Sequence, residues 1–137
     1  MDIKYEVPSA KEYIDLRIKT NMGEKKLLNT KIALENSIFI VSIWEYDKLI
    51  GFGRIIGDRG ITYVISDIMV DPDYQGKGIG KIIMKEIDDY LEGNTDEDAY
   101  IILLAKKPAD KLYSKFNFRY SEPDSCGMRR KQSNNDL

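Results

Sequence analysis

The sequence predicts an α/β sandwich, and three observations set that class. Apolar, β-branched runs alternate with segments of helical periodicity. Two of those runs meet at a tight polar corner, and another passes through a glycine-rich bend straight into a strong helix former. At 137 residues the chain reads as one domain over residues 1–131 with a single sizeable core, followed by a disordered polar tail at 132–137.

The elements follow in order. Ile3 to Val7 alternates and predicts a short first strand. Pro8-Ser9 then opens a helix with Tyr13, Leu16 and Arg17 at helical spacing, and Ser9 is placed to cap it with Glu12. A second helix is expected over Lys25 to Leu34, with Leu27, Leu28 and Ile32 as its apolar face. Ser37 to Tyr46 and Leu49 to Ile56 predict strands joined at Asp47-Lys48 in an antiparallel hairpin. Asp58-Arg59-Gly60 is the next turn and Ile61 to Val70 the fourth strand. Residues 79 to 91 place Ile79, Ile83, Ile87 and Leu91 four apart on one helical face, a stripe for core packing, with Gly93 as the stop. Ala99 to Leu104 is another β-like run, and Ala109 to Phe118 begins with a helix.

Composition excludes several functions. With 42% hydrophobic and 32% charged residues this is ordinary globular composition, and a net charge of −2 gives nucleic-acid binding little electrostatic support. No run approaches a membrane span and no signal-peptide pattern opens the chain, so a cytoplasmic location is expected. The chain has no histidine and one cysteine, Cys126, which removes internal disulfides, the common zinc sites and Ser-His or Cys-His nucleophile pairs. Cys126 is expected to be a strand residue.

The chemistry concentrates in Val70-Asp71-Pro72-Asp73-Tyr74-Gln75-Gly76-Lys77-Gly78-Ile79-Gly80. Strand, glycine loop and helix N-terminus in succession make a seat for phosphate, because glycines allow close backbone approach and first-turn amides lack intrahelical partners. A Walker loop fails here, since Gly76-Lys77 is followed by Gly78 rather than a hydroxyl residue. A dinucleotide fingerprint also fails, since the sixth position from Gly76 is Lys81. The segment resembles the coenzyme A signature [QR]-x-x-G-x-[GA] of the GNAT superfamily of N-acetyltransferases, with Gln75, Gly78 and Gly80 on its fixed positions and Val70-Asp71-Pro72 before it. A second stretch, Ala109-Asp-Lys-Leu-Tyr113-Ser-Lys-Phe-Asn-Phe118, is similar to that family's helix A-x-x-[LF]-Y-x-[KR]-x-G-F, with Asn117 in place of glycine. Asn is the next best residue for a left-handed position after a helix.

The resemblance, good over about residues 38–120, implies a mixed, mostly antiparallel sheet of about six or seven strands with about four flanking helices. Its fourth and fifth strands would be parallel and splayed. It implies acetyl-CoA as co-substrate and no metal. Pantetheine would pair with Ile68, Met69 and Val70, and diphosphate would rest on amides from Gln75 through Gly76, Lys77, Gly78, Ile79, Gly80 and Lys81. Lys77 and Lys81 would add charge-assisted contacts or stay solvated. Direct attack by a primary amine would follow, with a strand-four amide holding the oxyanion and Tyr113 protonating the departing sulfur. A phenol of pKa about 10 is protonated at neutral pH and suits that role. Asp67, interrupting an apolar strand, is the candidate base; its alternative is a structural hydrogen-bonding role at a strand irregularity, and water could replace it.

The implied activity is N-acetyltransfer to a small amine. Protein lysine or N-terminal acetylation, or a non-catalytic acyl-CoA-binding module, are the alternatives, and a homodimer is possible. Tyr13, Arg17, Trp44 and Arg54 are candidates to line the acceptor site. Acidic residues Asp67, Asp71 and Asp73 near its mouth favour a cationic acceptor.

Overall fold

The structure, a computed structural model, describes residues 1–132. Five strands form one sheet in the order β1-β2-β3-β4-β5: β1 (Asp2–Lys4), β2 (Phe39–Glu45), β3 (Lys48–Gly57), β4 (Thr62–Val70) and β5 (Tyr100–Leu103). The first three pairings are antiparallel, whereas β4 and β5 run parallel from Thr62↔Tyr100 to Ile65↔Leu103. Four helices flank the sheet: α1 (Ala10–Lys19), α2 (Leu27–Glu35), α3 (Ile79–Asn94) and α4 (Asp110–Ser114). No helix among the described residues is long and apolar enough to cross a membrane.

Local chemistry explains the helix starts. Ser9 and Glu12 form a reciprocal capping box at α1, satisfying two amides that the first turn leaves free. Ile79, Ile83, Ile87 and Leu91 of α3 are all buried against β2, β3 and β4. Ile83 and Ile87 are fully enclosed, and each contributes about 2 kcal/mol of transfer free energy. The opposite face of the sheet carries a second core, in which Tyr13, Leu16 and Leu34 meet Phe52 and Met69.

One irregularity shapes the middle of the sheet. Phe52 pairs with Met69 and Arg54 with Ser66, so Asp67 and Ile68 together oppose Gly53 alone. This β-bulge places Asp67 in the left-handed region at φ 57° and adds local twist. Gly53 is required opposite it, because a Cβ there would sit 2.7 Å from Ile83 Cγ2 and 2.8 Å from Ile68 Cδ1. Beyond Ile65 the edge of β4 loses its β5 partner, and a cleft opens between them.

Several expectations need correction. The sheet has five strands among the described residues rather than six or seven. After α4 the segment Ser121-Glu-Pro-Asp-Ser125 closes on itself, with the Ser125 amide donating to the Ser121 carbonyl and Pro123 offering no donor to a ladder. Cys126 therefore lies outside any strand and is exposed. The proposed face of α2 is reversed: Leu28 is 69% exposed, Leu27 and Ile32 are exposed too, and Thr30 and Leu34 are buried instead. Leu34 is drawn into the second core beside Tyr13 and Phe52, and Arg54 meets the end of the helix, donating to the Ala33 carbonyl at 3.3 Å and the Ser37 hydroxyl at 3.2 Å. The first strand ends at Lys4, and α3 runs through Gly93 to Asn94. The tail expected at 132–137 lies, from residue 133 onward, outside the described residues.

Candidate active site

The splay between β4 and β5 makes a cleft of about 660 Å³. Its walls are β4 from Val64 to Val70, the end of α1 and the loop after it from Lys19 to Met22, and the β5–α4 segment with Lys106, Lys107 and Ala109. Of the residues expected at the site, Asp67, Ile68, Met69, Val70, Gln75 and Tyr113 line this one space. The Met69 side chain is enclosed in the second core, so only its backbone is offered there.

At the far end of β4 the chain prepares a helix N-terminus with free amides. Asp71 accepts the Asp73 amide at 2.9 Å, turning the chain through a 3₁₀ turn at Pro72–Tyr74. Gly78, at φ 81°, is the N-cap of α3 and brings no side-chain acceptor to it. Its carbonyl accepts the Ile82 amide at 3.1 Å, and among the described residues the amides of residues 76 to 81 meet no acceptor. A Cβ at Gly76 or Gly78 would touch nothing within 4 Å, so the backbone here is open to a ligand. Ile79 instead points into the core, and Gly80 lies against Leu112, so these two can offer only main chain. Gly78 and Lys81 line a separate hollow with Phe116 on the outer side of α3, and the Lys77 ammonium sits 5.2 Å from the Tyr74 ring centroid.

Tyr113 stands across the cleft on α4. It is 7% exposed, and its hydroxyl has no hydrogen-bond partner among the described residues while reaching the cleft surface. Burial pushes its pKa above the ordinary tyrosine value, which keeps the phenol protonated through neutral pH. Asn117 takes the left-handed position after α4 at φ 69°, letting the Phe118 amide return to the Tyr113 carbonyl at 3.3 Å.

Asp67 is the centre of a buried cluster. Its carboxylate accepts from the Tyr13 hydroxyl at 2.5 Å, Arg54 Nε at 2.7 Å and Arg17 Nη1 at 3.2 Å. Burial alone would raise its pKa, but the Tyr13 hydrogen bond and the two guanidiniums outweigh burial and lower it. Burial and the Asp67 charge together push Tyr13 up to about 12. Arg17 also donates to the carbonyls of Met22 and Gly23, which fixes the α1–α2 loop as a cleft wall. Asp71 is likewise engaged, 1% exposed with Lys19 Nζ at 3.3 Å and Lys48 Nζ at 3.6 Å. The acidic mouth suggested by Asp67 and Asp71 is thus neutralised by four cations. Trp44 stands apart from the cleft, its indole N–H donating to Ser42 Oγ at 2.8 Å.

An Asp67→Asn variant should lose about 3–5 kcal/mol of stability, because it leaves two arginines without their buried counter-charge. The lowered pKa gives the sign of the pH dependence. The Asp67 contribution is complete above the unfolded carboxylate value near 3.9 and is lost as pH falls through the lower folded value. The stability gap between the two proteins, followed by denaturant melts from neutral pH down to about pH 3, should therefore begin to narrow once the pH falls below the unfolded value. Parallel curves would remove Asp67 from the acid limb.

Sequence reasoning missed the cleft walls at Lys19–Met22 and at Lys106-Lys107-Pro108. The turn chemistry of Asn21-Met22-Gly23 and the lysine pair after β5 were visible, but nothing local joined them to β4.

Residues 35–120 match the acetyltransferase (GNAT) domain family. A probable acetyltransferase of unknown function from meticillin-resistant Staphylococcus aureus is 42% identical, with a TM-score of 0.90 over 95% of this chain and 98% of that one. A GNAT family acetyltransferase from Streptococcus pneumoniae shares the fold at TM-score 0.75 and 24% identity, covering 97% of this chain and 98% of that one. An uncharacterized N-acetyltransferase, ycf52, of Pyropia yezoensis is 33% identical over 105 residues. Those residues are 74% of this chain, yet they span only 59% of that relative's length.

Proposed function

This chain belongs to the acetyltransferase (GNAT) domain family, and on that premise we propose that it transfers an acetyl group from acetyl-CoA to a primary amine of a small molecule. One observation carries the reading: a cleft runs along the unpaired edge of β4 with the Tyr113 hydroxyl across it, and past Gln75 at its end the chain leads directly to the free amides at the start of α3. When bound, acetyl-CoA would supply the acetyl group as an activated thioester.

The chain's own residues divide the work. Amides of residues 76 to 81 would hold the diphosphate, where the positive end of α3 favours negative charge. The β4 edge at Ile68, Met69 and Val70 would pair with the pantetheine amides as an added strand, and one of its amides would steady the developing oxyanion. The amine nitrogen bonds to the acetyl carbon as the carbon–sulfur bond breaks. Tyr113 gives its proton to the departing sulfur and recovers one from solvent.

The amine must shed a proton as well. A carboxylate clasped by two guanidiniums and a phenol is a weak proton acceptor, so in this scheme water takes that proton and Asp67 holds the bulge and the arginines in place.

Calorimetry with acetyl-CoA, free CoA and ATP tests the premise of the site. Micromolar affinity shared by acetyl-CoA and CoA, without ATP binding, is the expected result. Absence of acetyl-CoA binding would return the chain to a non-catalytic role.

A further inference from the structure

The charge of the cleft identifies the kind of amine it takes. The protein carries a net charge of −2, yet around this space cations dominate. Lys19 stands on one wall, Lys106 and Lys107 on the other, and Asp67 is the one acidic side chain that lines it among the described residues. Asp67 is matched by Arg17 and Arg54, and Asp71 behind it by Lys19 and Lys48. Each carboxylate thus meets two cations, and both groups leave net positive charge beside the cleft.

Lys106 and Lys107 are not consumed by the fold. Neither forms an ion pair among the described residues; the Asp110 carboxyl beside them is held by the Tyr120 hydroxyl, which with a smaller contribution from the Lys107 charge keeps it below the usual carboxylate range. The Lys106 carbonyl accepts the Ala109 amide at 2.9 Å, a turn that sets both lysines at the entrance to α4 next to Tyr113. Nor are they needed for the proposed diphosphate seat, since Lys77 and Lys81 lie at that end and outside the cleft lining. A polyamine entering here would meet like charge without a free carboxylate to receive it.

Resting on the acetyl-transfer reading above, we infer that the acceptor carries an anionic group, a carboxylate or a phosphate, beside its amine, and that Lys106 and Lys107 receive that anion. The lysines are specificity-determining residues, and the amine is thereby left free to face the acetyl group.

The test uses four small primary amines that differ in the group at the far end: ethylamine, β-alanine, O-phosphoethanolamine and putrescine. Thiol release at saturating acetyl-CoA is measured for the wild type and for a Lys106→Ala, Lys107→Ala double variant, with calorimetric CoA affinity alongside. β-Alanine or O-phosphoethanolamine should exceed ethylamine by about tenfold or more in kcat/KM, equivalent to about 1.4 kcal/mol. The better of the two tells carboxylate from phosphate. The double variant should lose that advantage while CoA affinity stays unchanged. Preference for putrescine, equality with ethylamine, or a variant that weakens CoA while keeping the anion preference would each overturn the inference. If no amine is acetylated, the CoA complex is titrated with O-phosphoethanolamine and ethylamine. Selective binding of the phosphate then upholds the anionic pocket and rejects acetyl transfer, and equal or absent binding rejects the pocket.

Discussion

Replacing Tyr113 with phenylalanine should lower kcat by about 10²- to 10⁴-fold, the range for loss of a positioned general acid, while leaving CoA affinity nearly unchanged. The substitution removes one oxygen from a ring that already packs in the core around α3, so the fold has little reason to respond. That hydroxyl has no partner among the described residues, and its loss strands no donor or acceptor. Burial raises the phenol's pKa, so the acid form persists across the neutral range. A wild-type pH–rate profile should accordingly show no basic limb from Tyr113 below about pH 10. Steady-state rates with a competent amine, paired with calorimetry of CoA, separate the two effects. Equal kcat in the variant would end the assignment of Tyr113 as the acid.

Gly78→Val should abolish measurable CoA binding, a loss of about 100-fold or more and thus about 2.8 kcal/mol. Two causes act together. A branched side chain would stand in the open space above the α3 amides, where the structure presents only backbone. The left-handed φ of 81° also becomes strained, costing the fold about 1–2 kcal/mol. A thermal melt would register the smaller cost and calorimetry the larger one. CoA affinity equal to wild type in a folded Gly78→Val protein would disprove the phosphate seat at this loop.

What could be seen from the sequence follows the range of the interactions involved. The Ser9–Glu12 capping box, the isoleucine stripe of α3, the hairpin near Asp47 and the left-handed Asn117 each depend on residues within one turn or one period. Each was predictable for that reason. The strand irregularity at Asp67 was also foreshadowed, because a lone carboxylate in an apolar β run needs a local reason.

Other features depended on distant partners. Leu27, Leu28 and Ile32 have the spacing of a buried face, but Leu34 is the residue that packs into the second core, and that leaves the predicted face outward. Asp67, Asp71 and Asp73 looked like an acidic mouth, but Arg17, Arg54, Lys19 and Lys48 arrive from other elements to match Asp67 and Asp71, and Asp73 lies outside the cleft lining. The segment after α4 had strand-like residues, such as Phe118 and Tyr120, but too few in alternation and a proline to interrupt them.

The sequence by itself determined the glycine loop and the helix it opens, the phenol at 113, and the order of strands and helices, since these are written in spacing and backbone preference. Only the tertiary structure decided that β4 parts from β5 after Ile65, that Asp67 is clasped by arginines, and that lysines from the end of α1 and from the β5–α4 segment face the same cleft. Charge and burial at a site are sums over neighbours in space, and a chain's order of residues does not list those neighbours.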